Sequence, residues 1–185
     1  MAGTLRVLTV CTHNQTRSVL MAGLLAQHAD AAHLDASVLS AGFRGGGMSA
    51  TDRARRLLAA RGIDVGDHRS QRLDEPHVHH ADLIVCAEHD HVVAIAGDHP
   101  SAFVKTFTLP ELVRLAEAVG PRAGASLDEW LARIAVERTD PMGYLQLRSS
   151  AVGELADPTG SAPATWTTAF DEIDDLTGRL VAALA

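Results

Sequence analysis

The chain opens with a short apolar segment that leads into a polar loop and then into a helix. Residues 5–10 have the pattern of a buried strand, and helix-forming residues begin again at Val19. The eight residues between them are Cys11-Thr12-His13-Asn14-Gln15-Thr16-Arg17-Ser18. A loop of this length can curl so that its backbone N–H groups point inward, toward the same place as the positive end of the helix. The sequence therefore predicts a strand–loop–helix cradle for an oxyanion such as phosphate.

Two side chains of this cradle have the chemistry that a bound phosphoryl group requires. Arg17 offers a planar pair of donors for two phosphate oxygens. Cys11 would lie beside the helix N-terminus and Arg17, which favours its thiolate, the nucleophilic form. The alternative is a buried strand-end cysteine with an unrelated arginine, because C-x5-R also occurs by chance. The position of the motif after a strand and before a helix favours the anion site.

Strand-like and helix-like segments alternate along the rest of the chain. We predict further strands at residues 34–41, Leu83–Cys86 and 103–107. Helices are predicted at residues 19–32, 51–61 (ended by Gly62), 89–96 and 165–184, with two more within 109–136 separated by Gly120-Pro121. This alternation predicts one α/β domain over residues 1–185, with an open, doubly wound parallel sheet of about four strands and helices on both faces. Ligands of such sheets bind beyond the carboxyl ends of the strands, where Cys11 lies.

Charge and cysteine content limit the partners that this chain can have. A net charge of −7 over 185 residues argues against nucleic acid or an anionic membrane, but a local nest of N–H groups can still bind a small anion. Two cysteines make no disulfide framework and no apolar run reaches membrane length, so we expect a cytoplasmic protein. The histidines at positions 77, 79, 80, 89 and 91 lack accompanying ligands at metal spacing, so neither a metal nor a cofactor is predicted. The sequence leaves the oligomeric state open.

Several segments beyond the cradle resemble the low-molecular-weight protein tyrosine phosphatases, a family that includes bacterial phosphatases and arsenate reductase-like proteins. These segments are Ser40-Ala41-Gly42, Asp52-Arg53-Ala54, Arg61-Gly62-Ile63-Asp64, His68-Arg69-Ser70-Gln71-Arg72-Leu73, Asp82-Leu83-Ile84-Val85-Cys86 and Asp157-Pro158. The resemblance covers residues 5–108 and 152–184. It leaves residues 109–151 as an extended helical insertion in a single domain.

The resemblance implies a phosphomonoester hydrolase that acts through a phosphocysteine intermediate. Cys11 would be the nucleophile, Arg17 the phosphate clamp and Asp157 the general acid. The phosphate-binding loop would consist of Thr12, His13, Asn14, Gln15, Thr16 and Ser18. Asn14, Ser18, Ser40 and His68 match the hydrogen-bond network that supports this loop in the family. The substrate would be a phosphate ester, with phosphoproteins as one class.

Some residues depart from the family pattern at functionally informative places. Thr16 stands where many members have a second cysteine, and His13 stands where a glycine is common. Thr159-Gly160 follows Asp157-Pro158 where the family tends to have aromatic residues, and Phe43 begins a glycine-rich loop where a tryptophan is common. Because a phosphotyrosine ring stacks on apolar walls, these departures leave the type of phosphorylated residue undetermined.

The sequence also leaves alternatives for the acid and for the reaction. Asp140-Pro141 is a second Asp-Pro pair, but Asp157 precedes the terminal helix as the family's acid does. An arsenate reductase that relies on an external low-molecular-weight thiol would need only Cys11, whereas a self-contained one would need more cysteines than Cys86. A non-catalytic phosphate-binding protein is the third class. Trp130 and Tyr144 of the insertion either line the site or belong to the core.

Overall fold

All four strands of the sheet run parallel in the computed structural model, which describes residues 3–44 and 46–185. The strands are β1 (Leu5–Cys11), β2 (Ala36–Gly42), β3 (Leu83–Cys86) and β4 (Thr106–Thr108). Their order in the sheet is β2-β1-β3-β4. The chain therefore leaves β1 toward one side and later returns to its other side, which opens a crevice at the carboxyl ends of β1 and β3. The predicted doubly wound α/β fold is confirmed.

Helices cover both faces of this sheet. They are α1 (Arg17–Ala31), α2 (Asp52–Ala60), α3 (Glu75–His80), α4 (His89–Asp98), α5 (Leu109–Val119), α6 (Leu127–Glu137), α7 (Pro141–Tyr144), α8 (Ser149–Val152) and α9 (Pro163–Leu184). Apolar side chains of α1, α2, α5, α6 and α9 form a core with one face of the sheet. A second core, on the other face, contains residues of α3, α4 and α8. None of the helices in the described part of the chain has the length and apolar character needed to span a bilayer.

The predicted strand at residues 103–107 is wrong over most of its length. Residues Pro100–Lys105 form a 3-10 helix, and β4 occupies only Thr106–Thr108. Pro100 fixes the first turn of this helix, since its missing N–H is not needed there. The Thr106 hydroxyl closes the last turn by donating to the carbonyl of Ala102 at 2.7 Å. Helix α3 has no counterpart among the predicted elements; it begins where the Asp74 carboxylate accepts from the backbone N–H of His77 at 3.0 Å.

Both large aromatic residues of the predicted insertion lie in the core. Trp130 and Tyr144 are almost completely buried. The Trp130 indole donates to the carbonyl of Gly120 at 3.0 Å, and the Tyr144 hydroxyl donates to Glu111 at 3.1 Å. Glu111 is also ion-paired with the buried Arg138 guanidinium at 2.9 Å. These contacts attach the segment after α5 to that helix and keep both aromatic side chains in the core.

Candidate active site

The loop between β1 and α1 is fixed by hydrogen bonds that converge on Asn14. Asn14 adopts a left-handed backbone conformation (φ 53°) and is fully buried. Its Nδ2 atom donates to Ser18 Oγ at 3.0 Å and to Ser40 Oγ at 2.8 Å. Ser18 Oγ in turn lies 3.0 Å from Cys11 Sγ. The side chain of Asn14 thus connects β2 with the sulfur atom at the end of β1.

A second set of contacts reaches Asn14 from the chain that follows α2. His68 Nε2 donates to the backbone carbonyl of Asn14 at 2.8 Å, and the backbone N–H of Gln71 donates to Asn14 Oδ1 at 2.8 Å. The structure therefore brings together the network residues that the sequence predicted, Asn14, Ser18, Ser40 and His68. Gln71 belongs to the same network, but no sequence feature distinguished it.

Gly42 is required for the close approach of β2 to this loop. A Cβ atom at this position would lie 2.7 Å from the backbone nitrogen of Asn14 and 3.0 Å from the carbonyl oxygen of Cys11. Real Cβ atoms essentially never lie as close to a backbone atom as the first of these distances. In the Ser40-Ala41-Gly42 motif, Ser40 therefore supplies the hydroxyl that Asn14 contacts. Gly42, two residues later, leaves room for the loop because it has no side chain.

Arg17 is buried at the first turn of α1, with its guanidinium directed toward the carboxyl ends of β1 and β3. Only 4% of its side chain is exposed. One terminal nitrogen is ion-paired with Glu88 and donates to the carbonyl of Leu155 at 3.1 Å. The other donates to Asp157 Oδ2 at 3.1 Å. This pattern fixes the plane of the guanidinium, as bidentate contact with a phosphoryl group requires.

Asp157 lies on a loop that the neighbouring strands hold at the mouth of the cradle. The backbone N–H of Leu155 donates to the carbonyl of Ala87, just after β3, at 2.9 Å. Burial favours the neutral acid, but hydrogen bonds from Thr159 and the positive charge of Arg17 outweigh it and lower the pKa of Asp157 below its usual value. Its carboxylate accepts from the backbone N–H of Thr159 at 2.9 Å. These contacts favour the carboxylate form of Asp157.

Asp140, the competing acid, occupies a different place. Its carboxylate caps the short helix α7 by accepting from the backbone N–H groups of Met142 and Gly143, both at 3.1 Å. This is the local role that Asp-Pro pairs have in turns. The structure brings Asp157, and not Asp140, into contact with Arg17.

Cys11, Arg17 and Asp157 share a small cavity of about 70 Å³. Its other lining residues are Thr12, His13, Gln15, Thr16, Thr51 and Thr159. These side chains are polar, and no phenylalanine, tyrosine or tryptophan of the described residues is among them. The cavity is therefore narrow and polar, with a thiol at its base and a carboxylate at its rim.

Glu88 and His91 are parts of the site that sequence reasoning missed. Glu88, two residues after β3, pairs with Arg17, and His91 Nε2 lies 3.6 Å from Glu88 and 3.1 Å from the Thr12 hydroxyl. Burial lowers the pKa of His91, so this ring is neutral at pH 7. Phe43 stacks on it with ring centroids 5.2 Å apart. The position of Glu88 at the end of a predicted strand was the signal available, since parallel strands end at one edge of the sheet.

The remaining histidines do not converge. Within residues 3–44 and 46–185, no three or more His, Cys, Asp or Glu side chains are grouped as metal ligands would be. His77 instead pairs with Asp74 at the start of α3, and His89 Nε2 donates to the carbonyl of Tyr144 at 3.1 Å. Neither contact is part of a metal-ligand arrangement.

The fold and the cradle agree with the relatives of this sequence. The family described as low molecular weight phosphotyrosine protein phosphatase matches residues 6–117, more than half of the chain. A protein-arginine-phosphatase of Geobacillus stearothermophilus is 28% identical over 180 residues, which cover 97% of this chain and 95% of the relative. A probable low molecular weight protein-tyrosine-phosphatase, EpsP of Ralstonia solanacearum, is 36% identical over 107 residues, covering 57% of this chain and 71% of the relative. The solved YwlE arginine phosphatase from Geobacillus stearothermophilus superposes with a TM-score of 0.70 at 27% identity, covering 96% of this chain and 91% of that one.

The chain belongs to the low molecular weight phosphotyrosine protein phosphatase family. The predicted family and the predicted class of cysteine-dependent phosphatase are confirmed. These relatives give no support to an arsenate reductase or to a non-catalytic phosphate-binding protein. The roles of individual residues and the substrate remain predictions.

Proposed function

We propose that this protein hydrolyses a phosphorylated protein side chain in two steps at Cys11. The thiolate attacks phosphorus, the S–P bond forms as the bond to the leaving group breaks, and Asp157 donates a proton to the leaving atom. Water then attacks the phosphocysteine with Asp157 as base, releasing phosphate and restoring the thiolate. The observation that carries this proposal is the cavity in which Cys11, Arg17 and Asp157 meet.

Charge stabilisation in both steps would come from groups already in place. The N–H groups of the cradle and the guanidinium of Arg17 would face the equatorial oxygens of the transferring phosphoryl group. Because Glu88 and the carbonyl of Leu155 hold Arg17, little reorganisation is needed when the phosphoryl group enters. The steps use protein side chains and water alone, so we expect turnover to persist after treatment with a metal chelator.

Two variants test the nucleophile, with p-nitrophenyl phosphate as substrate. Cys11→Ser should abolish turnover while vanadate still binds, because a hydroxyl is far less ionised than a thiol. Cys86→Ala is the matched control, since Cys86 is buried on β3 and should be dispensable. A phosphorylated Cys11 trapped by rapid acid quench would be the direct support. Turnover that survives Cys11→Ser would refute the proposal, and thiol-dependent reduction of arsenate without phosphatase activity would assign the alternative chemistry.

Phosphoarginine is the side chain that we propose as substrate, in preference to phosphotyrosine. A phosphotyrosine ring gains from aromatic or apolar walls, whereas this cavity is lined by threonines, Gln15 and His13. A guanidine leaving group is polar and basic, and such walls together with the carboxylate of Asp157 can accept its N–H donors. The relative that matches nearly the whole chain is a protein-arginine-phosphatase.

Matched peptides decide between the two substrates. Peptides that differ only in carrying phosphoarginine or phosphotyrosine at one position are compared by kcat/KM. We expect the phosphoarginine peptide to be preferred by about tenfold or more, as a site built for hydrogen bonding discriminates strongly. A preference for phosphotyrosine would leave the two-step proposal intact and reassign the substrate. We further propose a cytoplasmic location, since Cys11 and Cys86 are both free thiols.

A further inference from the structure

One segment of this acidic chain is strongly basic. Residues 43–72 contain seven arginines against three aspartates, while the whole chain has a net charge of −7. The proposed reaction uses none of these arginines. A concentration of one charge sign on an otherwise opposite surface indicates a place where a complementary partner binds.

Three of these arginines lie next to residues that contact the phosphate cradle. The backbone N–H of Arg44 donates to the carbonyl of Thr12 at 2.8 Å. Arg69 follows His68, and Arg72 follows Gln71, the two residues that hold Asn14. The segment around Arg44 is also hydrogen-bonded to the segment that contains Arg69 and Arg72. The backbone N–H of Ser70 donates to the carbonyl of Met48 at 2.7 Å, and the backbone N–H of Leu73 donates to the carbonyl of Gly42 at 2.7 Å. The backbones of Arg44, Arg69 and Arg72 are thus held close to the cradle, and we call these three exposed residues the arginine rim.

The arginine rim is not neutralised by the protein itself. All three residues are exposed, and none has a carboxylate partner within 4.0 Å among the described residues. Several arginines elsewhere in the protein do form ion pairs with a carboxylate. These pairs are Arg6–Asp82, Arg138–Glu111 and Arg179–Glu117. The positive charge next to the cavity is thus available to a partner.

We propose that the arginine rim binds acidic residues that flank the phosphorylated residue of a protein substrate. This inference rests on the proposed function, because the phosphorylated side chain must reach Cys11 while its neighbours lie on the rim. Complementary charges of this kind raise the association rate and select among partners. A protein segment fits better than a nucleic acid, since the rest of the chain is negatively charged and would repel a long polyanion.

The test compares two phosphopeptides that are identical except for glutamates or glutamines on either side of the phosphorylated residue. We expect the protein to prefer the glutamate peptide about tenfold in kcat/KM at low salt, mainly through KM, from three exposed charge pairs. The combined variant Arg44→Gln, Arg69→Gln, Arg72→Gln should reduce this ratio to about one. The matched control is Arg114→Gln, Arg133→Gln, Arg148→Gln, which removes the same charge from α5, α6 and the chain before α8 and should keep the ratio.

A second arm needs no variant and so does not depend on how the substituted proteins fold. The preference of the unaltered protein for the glutamate peptide should disappear at about 0.5 M salt, where exposed charges are screened. Equal kcat/KM values for the two peptides at low salt would overturn the inference. If a short RNA inhibits the enzyme at the same concentrations as the glutamate peptide, this result would also overturn the inference. The arginine rim would then be assigned as a nucleic-acid-binding surface.

Failure of the proposed function gives a different result. If the protein does not hydrolyse p-nitrophenyl phosphate, the two-step reaction at Cys11 is refuted before any peptide is compared. Binding of the two peptides to the Cys11→Ser variant then tests the arginine rim by itself, because this readout requires no turnover. The same tenfold preference, measured as a ratio of Kd values, supports the rim, and equal Kd values refute it.

Discussion

The side chains of Arg17 and Asp157 share a hydrogen bond of 3.1 Å between Nη2 and Oδ2 at the mouth of the cradle. The proposed phosphate clamp and the proposed general acid are therefore coupled. A dianion in the cradle would compete with Asp157 for the guanidinium and add negative charge beside its carboxylate. Both effects favour the protonated carboxyl group, which is the form that a general acid needs. Substrate binding would itself prepare the acid.

This coupling predicts that binding of a dianion takes up a proton at Asp157. Despite partial burial, the pKa of Asp157 in the protein is lowered by the hydrogen bonds of Thr159 and the charge of Arg17. A bound dianion should raise it, so that uptake occurs at pH values between the two pKa values and vanishes well above or below both. Sulfate suits the measurement because it does not titrate between about pH 4 and 8. Calorimetry in buffers of different ionisation enthalpy gives the number of protons bound.

The measurement is best made in the Cys11→Ser background, so that the thiolate contributes no proton. We expect Asp157→Asn to remove the uptake and Asp140→Asn to leave it unchanged, because Asp140 caps α7 and does not contact Arg17. Equal uptake with and without the Asp157 carboxyl group would show that the two residues are not coupled in the way the hydrogen bond indicates.

Asp157→Asn should lower kcat/KM most for substrates with poor leaving groups, because kcat/KM reports the first step, whereas kcat also includes the second step, in which Asp157 is the base for water. An activated phenolate such as p-nitrophenolate leaves without much protonation, whereas an alkoxide or guanidine needs a proton in the transition state. We expect a loss of roughly 100- to 1000-fold on a poor leaving group and a much smaller loss on p-nitrophenyl phosphate. The measurement is kcat/KM across a series of aryl phosphates of increasing leaving-group pKa.

Asp140→Asn serves as the matched control in this series, with the same change at the other Asp-Pro pair. It should give nearly unaltered kcat/KM throughout. A loss at Asp140 that matches the one expected at Asp157 would place the acid in the 109–151 segment. The contact between Arg17 and Asp157 would then have no role in leaving-group protonation.

Arg17→Lys should be almost as damaging as Arg17→Ala. The guanidinium of Arg17 has separate contacts at its two terminal nitrogens, with Glu88 on one and Asp157 on the other. A lysine offers one compact charge and cannot hold both carboxylates in one plane while it faces two phosphate oxygens. We expect kcat/KM on p-nitrophenyl phosphate to fall by about 1000-fold in both variants. Near-normal kinetics with lysine would show that charge alone suffices.

Glu88 should act on the same reaction through Arg17 as a positioning residue. Glu88→Gln keeps the shape but removes the charge that orients the guanidinium, so we expect a fall in kcat of about tenfold. The variant Glu154→Gln is a suitable control, since Glu154 accepts from the backbone N–H of His89 on the same side of the sheet at 2.9 Å and does not touch Arg17. We expect the Glu88→Gln variant to have the lower kcat of the two.

The cradle was predictable from sequence because it is local. Cys11 and Arg17 are separated by one loop, and the left-handed Asn14 within it is a residue type that tolerates that conformation. The position of Glu88 after a predicted strand indicated the correct edge of the sheet, but its contact with Arg17 was not predictable, because that contact spans 71 positions and depends on β3 lying beside β1. The resemblance to a family supplied Ser40 and His68, whereas nothing in the sequence identified Gln71, which acts through a backbone N–H.

The error at residues 103–107 has a physical origin as well. Phe103 and Phe107 are both buried, at 7% and 1% exposure, and their apolar pattern is compatible with a strand. Pro100 and the bond from the Thr106 hydroxyl to Ala102 instead favour a 3-10 turn before the strand begins. Two phenylalanines four positions apart do not separate these two structures, because a short apolar run has too few positions to distinguish a helical spacing from a strand.

Peroxide should inactivate the enzyme irreversibly. A sulfenic acid at Cys11 is still reducible, but without a nearby thiol to trap it as a disulfide, excess peroxide oxidises it to the sulfinic acid, which dithiothreitol does not reduce. Cys86 cannot supply this thiol, because it lies opposite Val10 in the register of β1 and β3 and so faces the other side of the sheet from Cys11. Burial also raises the pKa of the Cys86 thiol and keeps it protonated. We expect dithiothreitol to recover little of the activity that peroxide removes.

Thr16→Cys should make the loss of activity after peroxide treatment reversible. Thr16 and Cys11 line the same cavity, so the new thiol would lie close to a sulfenic acid formed at Cys11. The prediction is that dithiothreitol restores most of the activity of this variant after peroxide treatment, and that mass spectrometry finds a disulfide between Cys11 and the introduced thiol. Ser37→Cys on the exposed side of β2 adds a thiol away from the cavity and should give no protection. Full recovery of the unaltered protein through a Cys11–Cys86 disulfide would mean that the sheet opens enough to bring its two faces together, against the register observed between β1 and β3.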